Sequence, residues 1–234
     1  MIDFRPILFI LGILLTTLAV GMCLPALADL ISGRGDWLVF AASAGVNAFI
    51  GITMILTTRT APGNLSMRQA FLLTAMSWVV IAVFGALPFT FADLQLSFTD
   101  AVFEAMSGIT TTGATVMTNL NDAPPSILLW RALLQWFGGI GIIVMAVAIL
   151  PQLQVGGMQL FRMESSDKSE KAMPRIAQVA SAIGITYVGL TGLCAALYWA
   201  SGMPGFEAFA HAMTTIATGG FSTRDASIGF FNNA

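Results

Sequence analysis

Two short stretches of the chain combine threonine and glycine in a way that suits cation coordination. Backbone of this kind can turn main-chain carbonyl oxygens toward one axis, where they replace the water shell of an ion. Glycine suits such a place because it reaches strained backbone angles and adds no side chain to the bore. The candidate ligands, through their main-chain oxygens, are Thr110, Thr111, Thr112 and Gly113 in the first stretch and Ala217, Thr218, Gly219 and Gly220 in the second.

Each stretch ends a short apolar segment, and the two segments resemble one another. Phe98–Val116 and Gly205–Thr223 each carry an acidic residue in the first turn, run for about three helical turns and then break into Thr and Gly. Aligned without a gap from Thr99 and Phe206, they match at six of seventeen positions, including the Thr-x-Gly break. We interpret them as an internal repeat. Glycines that only allow close helix packing are the alternative, and the repeat favours the coordinating function.

The composition places these segments in a membrane protein. The chain has 234 residues, of which 56% are apolar and 9% charged, with a net charge of −2. A soluble domain carries roughly 25% charged residues. Without a basic block, nucleic acid is not an expected partner. Two cysteines and one histidine offer no disulfide framework or metal cluster. No nucleophile–base pair or phosphate-cradling loop is present, which argues against an enzyme.

Five stretches are long and apolar enough to cross a bilayer, which takes about 20 residues. They are Ile7–Ile31, Trp37–Thr58, Ala70–Ala92, Ile127–Leu150 and Ile176–Ala200. The first is too long for the apolar core of a signal peptide. The two Thr/Gly segments are too short to cross, so their irregular backbone must be buried in protein or line a water-filled path. Two spans separate them, and we therefore expect both to enter from the same face.

Loop charges predict the orientation. With a cytoplasmic N-terminus, seven Lys and Arg residues lie inside and three, namely Arg34, Arg131 and Arg224, lie outside, in accord with the positive-inside rule. Arg131 falls just within the fourth predicted span at its outer end. We expect its long side chain to snorkel to the membrane interface.

The two Thr/Gly segments resemble those of a known family. FEAMSGITTTGATV and HAMTTIATGGFSTRDASIGFF are similar to the first two pore loops of the Trk/Ktr/HKT superfamily of potassium transporters. The nearest resemblance is to the bacterial Trk-type potassium-uptake membrane subunit. RALLQWFGGIGIIVMAVAILP and VGGMQLFRMESSDKSEK are also similar to that family, so the resemblance runs from about Ala70 to the end.

The resemblance implies an all-α membrane protein with parallel span–pore helix–filter loop–span repeats of a potassium-channel-like pore. Two extra transmembrane helices, residues 1–68, precede a first pore repeat over 69–151. A cytoplasmic loop over 152–175 and an incomplete second repeat over 176–234 follow. K⁺ would be the transported ion, with Gly113 and Gly220 as filter glycines. The chain would be about half of a full subunit.

The resemblance also implies partners and a location. These are a lipid bilayer, a homodimer of the full-length subunit and a cytosolic nucleotide-binding regulatory ring, in the bacterial inner membrane. Residues 152–175 are a candidate contact for the ring. The residues leave open whether flux is channel-like or coupled to protons or sodium. The alternative function is a non-conducting scaffold or assembly subunit whose Gly/Thr segments only pack helices.

Several further residues have structural interpretations. His211 is aligned with Glu104 in the repeat, and we expect a packed, hydrogen-bonded side chain rather than a proton relay. Asp100 and Glu207 are interpreted first as helix-terminal charges. Three glycines of the fourth predicted span are expected to allow tight helix contact; they are Gly138, Gly139 and Gly141.

Overall fold

The computed structural model describes residues 3–31, 33, 36–58, 65–94, 96–153 and 169–231, with only the backbone described over 144–153 and 169–180. In these ranges the chain is helical and contains no strand. The helices are α1 (Arg5–Ile31), α2 (Trp37–Thr57), α3 (Met67–Gly85), α4 (Leu87–Phe91), α5 (Phe98–Ile109), α6 (Pro125–Leu153), α7 (Ser169–Ala200) and α8 (Gly205–Ile216), followed by a 3-10 turn over Ser227–Phe230.

Five segments of this fold are long and apolar enough to cross a membrane, which confirms the five predicted spans. They are Arg5–Ile31, Trp37–Thr57, Met67–Phe91, Pro125–Ile143 and Ser181–Ala200. The short helices α5 and α8 begin at the first residue of the two repeated segments and end after about three turns, at Ile109 and Ile216, where the predicted Thr/Gly breaks begin. Most of the predicted loop over 152–175 lies outside the described residues, although α6 extends to Leu153 and α7 begins at Ser169.

The first two spans form an antiparallel hairpin, and a pair of glycines lies where the two helix backbones approach closely. A Cβ added to Gly12 would lie 2.8 Å from the Gly51 carbonyl oxygen, and one added to Gly51 would lie 2.8 Å from the Gly12 carbonyl oxygen. Small residues at such crossings let helix backbones approach closely in a membrane. The α1–α2 pair therefore packs backbone to backbone in the half that holds the first part of α1 and the last part of α2.

The third span is interrupted at Ala86, between α3 and α4, where Pro88 lacks the N–H that would continue the helical hydrogen-bond ladder. Two polar side chains from other helices face the carbonyls at the break. Trp130 Nε1 donates to the Gly85 oxygen at 2.9 Å, and Asn47 Nδ2 lies 3.5 Å from the Phe84 oxygen. The sequence predicts this span but not the side chains that bond to the carbonyls at its break.

The membrane-spanning part of α6 is the most buried of the five spans. In its most apolar stretch 56% of the residues are buried, against 11% in the corresponding stretch of α7. Fully buried Trp130 packs edge to face on Phe40 of α2, with ring centroids 6.3 Å apart. The core thus lies around α6, and the ends of both short helices pack against this same helix.

Candidate functional site

Both short helices end in the same hydrogen-bonded motif. In each, the N–H of the second residue past the helix bonds three residues back and the next N–H bonds five residues back, the pattern of a Schellman motif. The four bonds are Thr111 to Gly108 (2.9 Å), Thr112 to Ser107 (3.0 Å), Thr218 to Thr215 (2.9 Å) and Gly219 to Thr214 (2.9 Å). The internal similarity of the sequence therefore extends to main-chain hydrogen bonding.

Each loop also repeats the same unusual backbone angles. Thr111 and Thr218 have φ of 55° and 56°, and Gly113 and Gly220 both have φ of 79°. A left-handed residue that ends a helix is usually glycine, because a Cβ costs about 1–2 kcal/mol there. Strained non-glycine residues cluster at functional sites. The sequence predicts special backbone only at the glycines, and the residue type of the two threonines gives no signal for it.

These hydrogen bonds determine where the loop carbonyls point. In a planar trans peptide the C=O and N–H lie on opposite sides. Because the N–H groups of Thr111 and Thr112 point back into α5, the carbonyl oxygens of Thr110 and Thr111 point away from it. The second loop repeats this arrangement at Ala217 and Thr218. Within the part of the chain that the structure describes, no hydrogen bond ends on a main-chain oxygen of 110–113 or 217–220.

The structure brings the two predicted loops together. A Cβ added to Gly113 would overlap the main-chain oxygen of Gly219, whereas one added to Gly220 would meet no described atom within 4 Å. All eight predicted residues thus belong to two adjoining loops. Gly113 needs to be glycine for its positive φ and for this close approach, and Gly220 for its positive φ.

One face of α6 forms the support behind both loops. Positions 131, 135, 138 and 139 lie on the same side of the helix by their spacing. Gly138 is against the end of α5, where a Cβ would lie 2.7 Å from the Ile109 carbonyl carbon. A Cβ on Gly139 would lie 3.0 Å from Ala217 Cα in the second loop. The predicted tight contacts are confirmed here but are wrong for Gly141, which has no described neighbour within 4 Å.

Arg131 does not snorkel to the interface, and that prediction is wrong. Its side chain is 1% exposed and pairs with Glu104, which is 0% exposed, with Nε 2.8 Å from Oε1. The guanidinium also donates to the Ser222 carbonyl at 2.8 Å and to Thr115 Oγ1 at 3.0 Å, and it lies 4.1 Å from the Phe221 ring centroid. Because the guanidinium donors of Arg131 find hydrogen-bond partners inside the protein, the side chain does not need to extend to the lipid headgroups.

Glu104 is satisfied on both of its oxygens. Besides Arg131, it accepts from Thr115 Oγ1 at 2.9 Å and from the Val116 N–H at 3.0 Å. The pair therefore ties α5, the backbone beyond the first loop and the backbone beyond the second loop to α6. The signal in the sequence was two charged residues inside apolar segments, which is a mark of function in a membrane.

His211 has the place in α8 that Glu104 has in α5. It is 3% exposed, with Nδ1 2.8 Å from the Glu207 carbonyl oxygen and Nε2 3.0 Å from Ser222 Oγ. A carbonyl can only accept, so Nδ1 carries a proton, and Nε2 is hydrogen-bonded to the Ser222 hydroxyl. The expected packed, hydrogen-bonded histidine is confirmed.

The two acidic residues at the helix starts differ in their roles. Asp100 forms a capping box with Ser97, as its interpretation as a helix-terminal charge requires. Glu207 is buried and instead accepts from Thr223 Oγ1 at 2.9 Å and pairs with Arg224. Hydrogen bonding to Glu207 raises the pKa of the Arg224 guanidinium, which therefore stays charged at physiological pH. This second ion pair braces the backbone after the second loop.

The fold and the site together define a multi-pass helical membrane protein in which two short helices present strained, carbonyl-rich loops side by side against a buried span. The chain belongs to the TrkH family of cation transport proteins, whose family model matches residues 39–234. The resemblance drawn from the loop motifs is thereby confirmed.

Relatives and a solved structure agree with this assignment. The chain is 46% identical to the Trk system potassium uptake protein TrkH of Salmonella typhimurium over 98% of its length and 48% of that protein's. It is 37% identical to the potassium uptake protein TrkG of Escherichia coli, with the same two shares. The crystal structure of the potassium transporter TrkH from Vibrio parahaemolyticus matches 99% of the chain and 47% of that protein, with a TM-score of 0.88 and 43% identity. The chain spans about half the length of the relatives it matches.

Proposed function

We propose that this chain contributes two of the filter segments of a pore that takes up K⁺ across the bacterial inner membrane. The observation that carries the proposal is the set of main-chain oxygens in the two loops that no described hydrogen bond occupies. Oxygens of this kind substitute for the hydration shell of K⁺ in selectivity filters. The similar proteins named above are potassium uptake proteins by name, which supports K⁺ as the ion.

The electrostatics of the short helices support a cation. The C-terminal end of a helix carries a partial negative charge of about half an electron. Since the proposed ligands follow the last turns of α5 and α8 directly, both partial charges lie beside the loops. Arg131, which is buried, and Arg224, which is partly exposed, are each paired with a glutamate, so neither opposes a cation as a free charge.

The proposal divides the chain into two leading spans and two pore repeats. The leading spans occupy residues 1–68, the first repeat 69–151 and the second 176–234. The matched Schellman motifs and the matched φ values support treating α5 and α8 as equivalent pore helices. The charge bias of the loops supports a cytoplasmic N-terminus, with both loops entering from the outer face.

The proposed assembly is that of the family resemblance. The full-length subunit would pair as a homodimer and bind a cytosolic nucleotide-binding ring through residues 152–175. The names of the relatives refer to a Trk system, which supports an assembly of several components.

The decisive experiment replaces each proposed filter glycine by serine in the natural gene product that contains residues 1–234. A non-glycine residue at φ of 79° is strained by about 1–3 kcal/mol. Gly113→Ser in addition forces a side chain onto the Gly219 oxygen, and we expect the larger effect there. We predict a lowered K⁺-over-Na⁺ preference in both variants at normal membrane abundance, measured by ion flux into proteoliposomes.

The matched control is Gly141→Ser, because Gly141 lies in the same span as the supporting glycines but has open space around it. Its ion preference should equal that of the unmodified protein. A normal preference in both filter variants would instead favour the non-conducting scaffold, in which these glycines only pack helices.

A further inference from the structure

We infer that Gln135 is a positioning residue for ion selectivity, because its amide fixes the direction of the Gly220 carbonyl. The inference rests on the proposed filter and names a residue outside the two loops on which that filter depends. Gln135 lies on the loop-facing side of α6, one turn beyond Arg131, and its side chain is completely buried.

The contact that carries the inference is a single hydrogen bond. Gln135 Oε1 accepts from the Phe221 N–H at 3.0 Å, across 86 residues of sequence. The Phe221 nitrogen is a donor only, so the amide atom that faces it must be the oxygen. The N–H of Phe221 belongs to the peptide plane that carries the Gly220 carbonyl. Because the two groups point in opposite directions, the bond turns the Gly220 oxygen away from α6.

The amide also restricts the residue before Gly220. A Cβ added to Gly219 would lie 2.6 Å from Gln135 Nε2 and would overlap its Cδ. The flat amide thus packs directly on the Gly219 Cα, and the loop cannot retreat toward α6. Gly220 itself has no described atom within 4 Å of an added Cβ. Gly220 has φ of 79° and open space around it, so the orientation of the peptide between Gly220 and Phe221 depends on Gln135.

The remaining hydrogen-bonding capacity of the amide argues against a role in packing alone. Gln135 Nε2 is buried without a partner among the described residues. An apolar side chain of similar size would fill the site without a buried, unmatched donor. The acceptor oxygen is what an apolar residue would lack.

The test uses the natural gene product, reconstituted in proteoliposomes, with K⁺ and Na⁺ flux as the probes. Gln135→Leu keeps the volume and removes the acceptor, so the Gly220 peptide is released. We expect the K⁺-over-Na⁺ preference to fall by about fivefold, the equilibrium effect of one lost hydrogen bond. Gln135→Glu keeps an acceptor oxygen at the same reach and should retain most of the preference.

Asn47→Leu is the matched control, since Asn47 is also a fully buried amide, on α2, and bonds to Ser43 rather than to a loop. It should leave the ion preference unchanged. Normal preference in Gln135→Leu would overturn the inference, and so would an equal loss in Asn47→Leu, because general destabilisation would then explain both.

If Gln135→Leu does not reach the membrane, a double-mutant cycle between positions 219 and 135 tests the same contact. Gly219→Ala should lower the preference because its methyl group overlaps the amide, and adding Gln135→Ala should give a smaller loss than the product of the two single effects. Independent effects would contradict the inference. Altered preference in the Gly113 and Gly220 serine variants, with none in these, would refute the positioning role while leaving the filter intact.

Discussion

Removing the guanidinium of Arg131 is the most stringent test of how the two loops are held. Arg131→Met keeps most of the side-chain volume but leaves Glu104, which is 0% exposed, without its counter-charge. Breaking a buried ion pair by removing one partner costs about 3–5 kcal/mol. The bonds to Ser222 and Thr115 are lost as well, although both of those groups lie nearer to solvent.

The measurement is the free energy of unfolding in detergent micelles, followed by a chemical denaturant. We expect Arg131→Met to lose at least about 3 kcal/mol. Adding Glu104→Gln should recover a large part of that loss, because a neutral amide carries no uncompensated buried charge and still accepts from the Val116 N–H.

Arg68→Met is the control, since Arg68 is exposed near the start of α3. A surface substitution of this kind should change the free energy of unfolding by no more than about 0.5 kcal/mol. The reasoning fails if Arg131→Met is as mild as this control, or if the added Glu104→Gln makes the loss larger instead of smaller.

Two further predictions concern α6 and the orientation of the chain. Gly138→Ala drives a methyl group into the Ile109 carbonyl and should lower both the thermal stability and the ion uptake. Gly141→Ala places its methyl group in open space, so its stability should be unchanged or rise by up to about 1 kcal/mol through helix propensity. Thermal unfolding measures the stability of both variants, and an uptake assay measures their activity. In a background without the two native cysteines, a cysteine at Asn121 should react with an impermeant thiol reagent in intact cells and one at Ser66 should not. Labelling of Ser66 alone would reverse the proposed orientation.

The sequence alone predicts the membrane class and the helical plan of this protein. A bilayer requires long apolar helices, so composition and run length were enough to find all five spans. The paired loops were also predictable, because two copies of one pattern at equal offset are visible without knowing how they meet. The capped start of α5 follows from local chemistry, since Ser97 and Asp100 are only three residues apart.

Only the tertiary structure shows what holds the loops. Glu104 and Arg131 are 27 residues apart, and Gln135 and Phe221 are 86 residues apart, so no local pattern connects them. A charge near a span end has two ways to avoid lipid, the headgroups or a buried partner, and the choice depends on what the fold places beside it. For Arg131 the fold supplies Glu104, and the snorkelling prediction fails for that reason.

The strained threonines are a second feature that the sequence alone does not predict, here in the backbone conformation. Threonine is an ordinary residue by sequence, and its type gives no sign that Thr111 and Thr218 take a left-handed conformation. That conformation is maintained by the Schellman bonds behind each loop and by α6, which presents Gly138 and Gly139 to let the backbone come close. The residue types of the loops come from the sequence, but the direction of their carbonyls is decided by the main-chain bonds that end each short helix and by α6, which packs behind the loops.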